Sequence, residues 1–144
     1  SSKINNKINI DMYTFGRKST MELTRVHPDL QLLSKEVIDI SKVDFTITEA
    51  LRSQERQKEL FDNGFSKTLN SKHCEGLAID IVPYINGKAD FDAVYDLCYI
   101  IGLYDAKAKE LGIKIRLGAI WKRKSLKDNK ENGFFDAYHI ELEI

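Results

Sequence analysis

Residues 77–82 (Leu-Ala-Ile-Asp-Ile-Val) form an apolar run of strand length that carries one carboxylate, Asp80. Side chains alternate along a strand, so Ala78, Asp80 and Val82 share one face while Leu77, Ile79 and Ile81 share the other. A buried, unpaired carboxylate is expensive, so any fold of this chain must bring Asp80 a cation or several hydrogen-bond donors. Backbone N–H groups would meet that demand as well as a metal ion would.

A second strand pattern near the C-terminus narrows the choice. Over 139–144, Ile140, Leu142 and Ile144 point one way and His139, Glu141 and Glu143 the other, which predicts one core face and one polar face. If this strand lies beside 77–82, His139 and Asp80 converge. His73 then arrives from the preceding turn, where Gly76 provides backbone freedom. Two imidazoles and a carboxylate are the ligand set of a catalytic zinc site, which leaves one position open for water. Asp136, three residues before His139, is placed to act as a nearby base, although a turn-capping Asp fits the same position. Glu141 is expected either to orient a ligand or to be a solvated strand residue.

The remaining candidates carry less chemistry. Arg52 stands where a strand gives way to a helix, a position suited equally to a cleft-facing guanidinium and to a surface ion pair. His27 reads as a surface residue at a helix start. Cys74 is not taken as a ligand, because its side chain should diverge from that of His73. Lys122, Arg123 and Lys124 are diluted by Asp128 and Glu131 and read as a solvated loop.

At 144 residues one domain with a real core is expected. Lys plus Arg and Asp plus Glu both total 22, which argues against a dedicated nucleic-acid binder. No apolar run approaches a membrane span, and no secretory signal is visible, so no stable membrane association is expected. Two cysteines are too few for a disulfide framework. Met12 is the expected start of the natural chain, with 1–11 a loose extension and 12–144 the folded domain. Helices are predicted over 28–41, from 53 to a stop at Gly64, and over 91–111 with Gly112 as the stop and Gly102 a possible break. Strands are predicted over 44–48, over 77–82 ended by Pro83, over 113–119 and over 139–144. Residues 65–72 and 122–135 read as loops, and Asn86-Gly87 as a hairpin turn. Helices and strands mix without βαβ alternation, so the fold class is α+β with a mainly antiparallel sheet flanked by helices.

The segments Ser71-Lys72-His73-Cys74-Glu75-Gly76-Leu77-Ala78-Ile79-Asp80 and Asp136-Ala137-Tyr138-His139 resemble the pattern Ser-x-His-x-x-Gly-x-Ala-x-Asp and Asp/Glu-x-x-His. That pattern belongs to zinc peptidases of the D-Ala-D-Ala carboxypeptidase group, related in fold to the hedgehog signalling domain. One branch, the phage L-alanyl-D-glutamate endopeptidases (endolysins), is similar over nearly everything from Met12 onward. Phe15-Gly16, Ser19, Leu23, Val26, Pro28 and Leu30 follow that branch, as do 44–47, Arg52, 83–88 and 110–114. The resemblance implies a zinc ion held by His73, Asp80 and His139, with Asp136 as general base and Arg52 steadying the substrate carbonyl and the developing oxyanion. Gln57, Ser71, Trp121 and Glu141 are implied as substrate contacts or supports. Ile120 stands where relatives often carry Asp, and 122–135 follows no family pattern.

The implied function is hydrolysis of the L-Ala–D-Glu bond in peptidoglycan stem peptides by a monomer. It would accumulate in the host cytoplasm and act on the wall after release. A D,D-carboxypeptidase or dipeptidase acting on D-Ala ends is the neighbouring alternative. A non-catalytic zinc-containing wall-binding module is the alternative of another class, and a secreted antibacterial effector is another setting for the same chemistry.

Overall fold

The computed structural model describes residues 12–120 and 137–144, and the account below concerns these. In chain order the elements are α1 (Arg17–Leu23), α2 (Pro28–Ile40), β1 (Phe45–Glu49), α3 (Gln54–Asp62), a 3₁₀ turn (Lys72–Glu75), β2 (Ala78–Ile85), β3 (Lys88–Ala89), α4 (Val94–Leu111), β4 (Ile115–Leu117) and β5 (His139–Leu142). The strands form one antiparallel sheet in the order β1-β2-β5-β4, with β3 paired to the far end of β2. This is the α+β class that the sequence pattern predicts.

Register divides the sheet into two faces. Ile47 lies opposite Ile81, Ile79 opposite Ile140, and Ile140 opposite Leu117. These residues join Leu30, Leu33 and Val37 of α2 and Leu97, Ile100 and Tyr104 of α4 in a buried core. The other face pairs Glu49 with Asp80, Asp80 with His139, and Glu141 with Arg116. Packing of α2 and α4 thus seals one side, while the polar side chains gather on the other.

Local chemistry explains most element boundaries. Pro28 starts α2, and the His27 imidazole caps it by accepting the Asp29 N–H at 3.0 Å, a more specific role than that of a plain surface residue. Ser53 caps α3 by accepting the Arg56 N–H, and Gly112, at φ +72°, closes α4. Gly102 leaves α4 unbroken. Its cost of about 1 kcal/mol is small beside the apolar burial of this helix.

Five expectations are corrected. Pro83 does not end β2, which runs on to Ile85. Tyr84 N–H bonds the Asp44 carbonyl, so the Phe45–Pro83 pair needs no bond from Pro83 towards β1. The ring nitrogen faces the opposite side, beyond the start of β5, where no ladder donor is required. The strands expected over 113–119 and 139–144 shorten to Ile115–Leu117 and His139–Leu142, and Ile144 is exposed instead of sharing the core face. The region 12–27, read without an element, contains α1. Residue 72, read as the end of a loop, opens the 3₁₀ turn.

Gly76 positions the site. Its φ of +69° is left-handed, and a Cβ there would meet the Arg25 carbonyl oxygen at 3.1 Å. Its own carbonyl accepts the His27 N–H at 2.9 Å, tying the 3₁₀ turn to the start of α2. Gly76→Ala is expected to cost roughly 1–2 kcal/mol from the backbone alone, with more from the contact. Gly64→Ala, at φ +77° with nothing within 4 Å, carries only the backbone part. Thermal unfolding of the two variants should therefore show the larger loss for Gly76→Ala, and an equal loss would remove the close approach from this account.

Candidate metal centre and active-site cleft

His73 comes from the 3₁₀ turn, Asp80 from the middle of the sheet and His139 from the first residue of β5. Their inward atoms form a tight triangle. His73 Nε2 to Asp80 Oδ1 is 3.2 Å, His139 Nδ1 to Asp80 Oδ1 is 3.4 Å, and His139 Nδ1 to His73 Nε2 is 3.1 Å. Both imidazoles are buried. The structure therefore brings together all three residues that the sequence nominates as ligands.

The outer nitrogens show what the inner ones offer. His73 Nδ1 lies 2.8 Å from the Ala50 carbonyl oxygen, which can only accept, so Nδ1 carries the proton. His139 Nε2 lies 2.9 Å from Glu141 Oε1. Burial of the Glu141 carboxyl works against its charge. The His139 hydrogen bond, with help from Lys72 and Arg116, outweighs burial and lowers its pKa, so Glu141 accepts and Nε2 donates. Each neutral imidazole then turns a lone pair inward, towards the other and towards a carboxylate oxygen. Three acceptors at this range repel unless a cation or a proton lies among them. Burial pushes the Asp80 carboxyl up, but its hydrogen bonds with His139 and His73 outweigh burial and hold it far below the usual carboxylate range.

The donor set fits a metal ion. A tetrahedral ion with bonds of ~2.05 Å places neighbouring ligand atoms about 3.3 Å apart, the size of this triangle. Among the described residues these three form the group of metal-ligand type. Each histidine also donates its outer N–H to a fixed acceptor, the arrangement that orients ligating imidazoles and raises their basicity.

The triangle lies in a cleft of about 600 Å³ whose walls include Glu49, Arg52, Phe65, Lys72, Arg116 and Glu141. Arg52 is nearly buried. Its Nε donates to Glu49 Oε1 at 2.6 Å and its Nη1 to Gln57 Oε1 at 2.7 Å, while its backbone N–H bonds the His73 carbonyl at 3.0 Å. Burial opposes its charge, but Glu49 and the more distant Asp80 raise its pKa overall. Arg52 is thus a fixed cation in the wall of the cleft, paired with Glu49 in the cleft and not at the open surface. Ser71 accepts the His73 N–H at 3.2 Å and caps the turn that presents this imidazole. Glu141 is buried, which removes its reading as a solvated residue.

Some contributors escape sequence reasoning. Glu49, the Ala50 carbonyl, Lys72 and Arg116 all serve the site. Lys72 Nζ donates to the Leu142 carbonyl at 2.6 Å and stands 3.8 Å from Glu141 Oε2. The spacing of Glu49 three residues before Arg52 was the available signal for the first. Cys74 is not in the triangle, and its Sγ faces the Ser53 carbonyl at 3.9 Å. Asp136, Trp121 and the loop 122–135 lie outside the described residues.

The phage L-alanyl-D-glutamate peptidase family model matches residues 12–143, and the chain belongs to that family. The L-alanyl-D-glutamate peptidase of Escherichia phage T5 is 35% identical over 134 residues, covering 90% of this chain and 98% of its own length. The crystal structure of the Serratia marcescens L-Ala D-Glu endopeptidase ChiX superposes with a TM-score of 0.76 at 31% identity, covering 95% of this chain and 93% of that one. The family that the sequence motifs resemble is therefore the family found.

Glu141→Ala is expected to weaken metal binding roughly 10- to 100-fold, because His139 loses the acceptor that fixes its orientation. Competition with a fluorescent zinc chelator measures this. Unaltered affinity would show that Glu141 does not support the ligand.

Proposed function

We propose that this chain is a zinc-dependent endopeptidase that hydrolyses the L-Ala–D-Glu bond of peptidoglycan stem peptides, a phage-type endolysin. The observation that carries the reading is the acceptor triangle of His73, Asp80 and His139, sized for zinc and set beside a fixed arginine in an open cleft. Membership of a peptidase family named for that bond supports the choice of substrate. Residues 12–144 are the catalytic domain on this reading.

When bound, zinc supplies a Lewis acid and brings the pKa of water from ~15.7 towards ~7. The protein supplies the rest. Asp136 takes the proton of the attacking water and returns it to the departing D-Glu amine. Arg52, held by Glu49 and Gln57, donates to the carbonyl oxygen as negative charge builds on it. Glu141 and the Ala50 carbonyl hold the two imidazoles with their lone pairs inward.

No helix among the described residues is long and apolar enough to cross a membrane. The reading places synthesis in the host cytoplasm and action on the wall after release.

Mass spectrometry of digested, purified wall tests the bond. New ends at L-Ala and D-Glu are expected, whereas free D-alanine would identify a D,D-carboxypeptidase and overturn the assignment. Asp136→Ala should keep the metal and lose turnover, and hydrolysis at the original rate would exclude Asp136 as the base. Arg52→Ala should lower kcat by roughly 10²- to 10³-fold, the usual effect of removing an oxyanion donor. A change confined to KM would instead make Arg52 a ground-state binding residue.

A further inference from the structure

We propose that Gln57 is a positioning residue that locks the Arg52 guanidinium and the 66–70 wall of the cleft into one unit. The proposal rests on the role given to Arg52 above.

Helix α3 is polar almost throughout, and Gln57 is its one buried residue. A fully enclosed glutamine in such a helix calls for partners on both ends of its amide. It has them. Oε1 accepts from Arg52 Nη1 at 2.7 Å, while Nε2 donates to the Thr68 carbonyl at 2.6 Å and to Ser66 Oγ at 2.9 Å. The guanidinium has only donors and the carbonyl only accepts, so the amide cannot be reversed. Ser66, Lys67, Thr68 and Asn70 line the cleft without belonging to any regular element. Thr68 stays in place through local bonds to Ser66 and Asn70, and Gln57 connects that small knot to the body of the protein.

One amide therefore joins two functions. Its oxygen aims the cation that meets the substrate carbonyl, and its nitrogen anchors a wall along which the peptide lies. Each end can be disturbed on its own: losing the oxygen's bond frees Arg52, and losing the nitrogen's bonds frees the wall. Glutamine alone suits the position. Glutamate keeps an acceptor for Arg52 but presents a carboxylate to the Thr68 carbonyl, while leucine abandons both ends.

The two halves separate in kinetics on purified wall, with the zinc-loaded enzyme. Gln57→Leu is expected to lower kcat roughly 10- to 100-fold, the scale of a misplaced catalytic group. In an Arg52→Ala background the same change should cost no more than about twofold, because the residue through which it acts is gone. Gln57→Glu should hold kcat within a few-fold of wild type and raise KM, and it serves as the test if the leucine variant does not fold. A second readout is independent of turnover: the Arg52 side-chain N–H signals in nitrogen-15 NMR should shift or broaden in Gln57→Leu. Equal losses in both backgrounds, a fall in kcat with Gln57→Glu as large as with Gln57→Leu, or an unmoved Arg52 signal would each overturn the proposal. Wild-type cleavage at a different bond would refute the substrate assignment instead and leave the cycle and the NMR comparison measurable.

Discussion

The pairing of β2 with β5 is the constraint on which the rest depends. It sets Asp80 directly opposite His139, and Ile79 opposite Ile140. A slip of one residue would exchange the faces, burying the imidazole in the core and turning the isoleucines into the cleft. Hydrophobic burial thus enforces the geometry of the polar site. Asp80 and His139 are held in place from the other side of the sheet, where Ile79, Ile81 and Ile140 are fully buried against α2 and α4.

Around this register the polar groups are arranged so that each inward-facing atom is backed by another. Ala50 and Glu141 fix the imidazole tautomers, Glu49 and Gln57 fix Arg52, and Ser71 with Gly76 fixes the turn carrying His73. The irregularity between Ile47 and Glu49 in β1 belongs to the same design. By breaking the register there, the bulge sets Glu49 against Asp80 and within reach of Arg52. Apart from the Ala50 carbonyl, these supports lie two to five residues from the groups they hold.

The sequence was most legible where a residue contradicted its surroundings. Asp80 stands out in an apolar strand and His139 begins an alternating one, so their convergence follows from the sequence pattern once the two strands lie side by side. Helices α2, α3 and α4 were equally readable from Pro28, Ser53 and Gly112, whose roles are local. Helix α1 was not, because it buries only Ser19 and Leu23 and depends on a distant strand. Ser19 Oγ takes the outward Ile47 N–H at 3.1 Å and bonds Thr46 Oγ1 at 2.8 Å, capping an edge that no local pattern announces. Pro83 misled for a related reason: whether a strand tolerates proline depends on which neighbour its nitrogen faces. Gln57 was recognisable only by resemblance, since its three partners come together through the path of the 66–70 segment.

The central claim is that His73, Asp80 and His139 together hold a zinc ion. X-ray absorption spectroscopy of the zinc-loaded protein tests it most directly. The account requires two imidazole nitrogens and a carboxylate oxygen at ~2.0–2.2 Å, with the imidazole scattering reduced by half in His73→Ala or His139→Ala. A sulfur at ~2.3 Å would bring Cys74 or Cys98 into the centre, and a spectrum unchanged by either substitution would place the metal elsewhere. Either result would contradict the account.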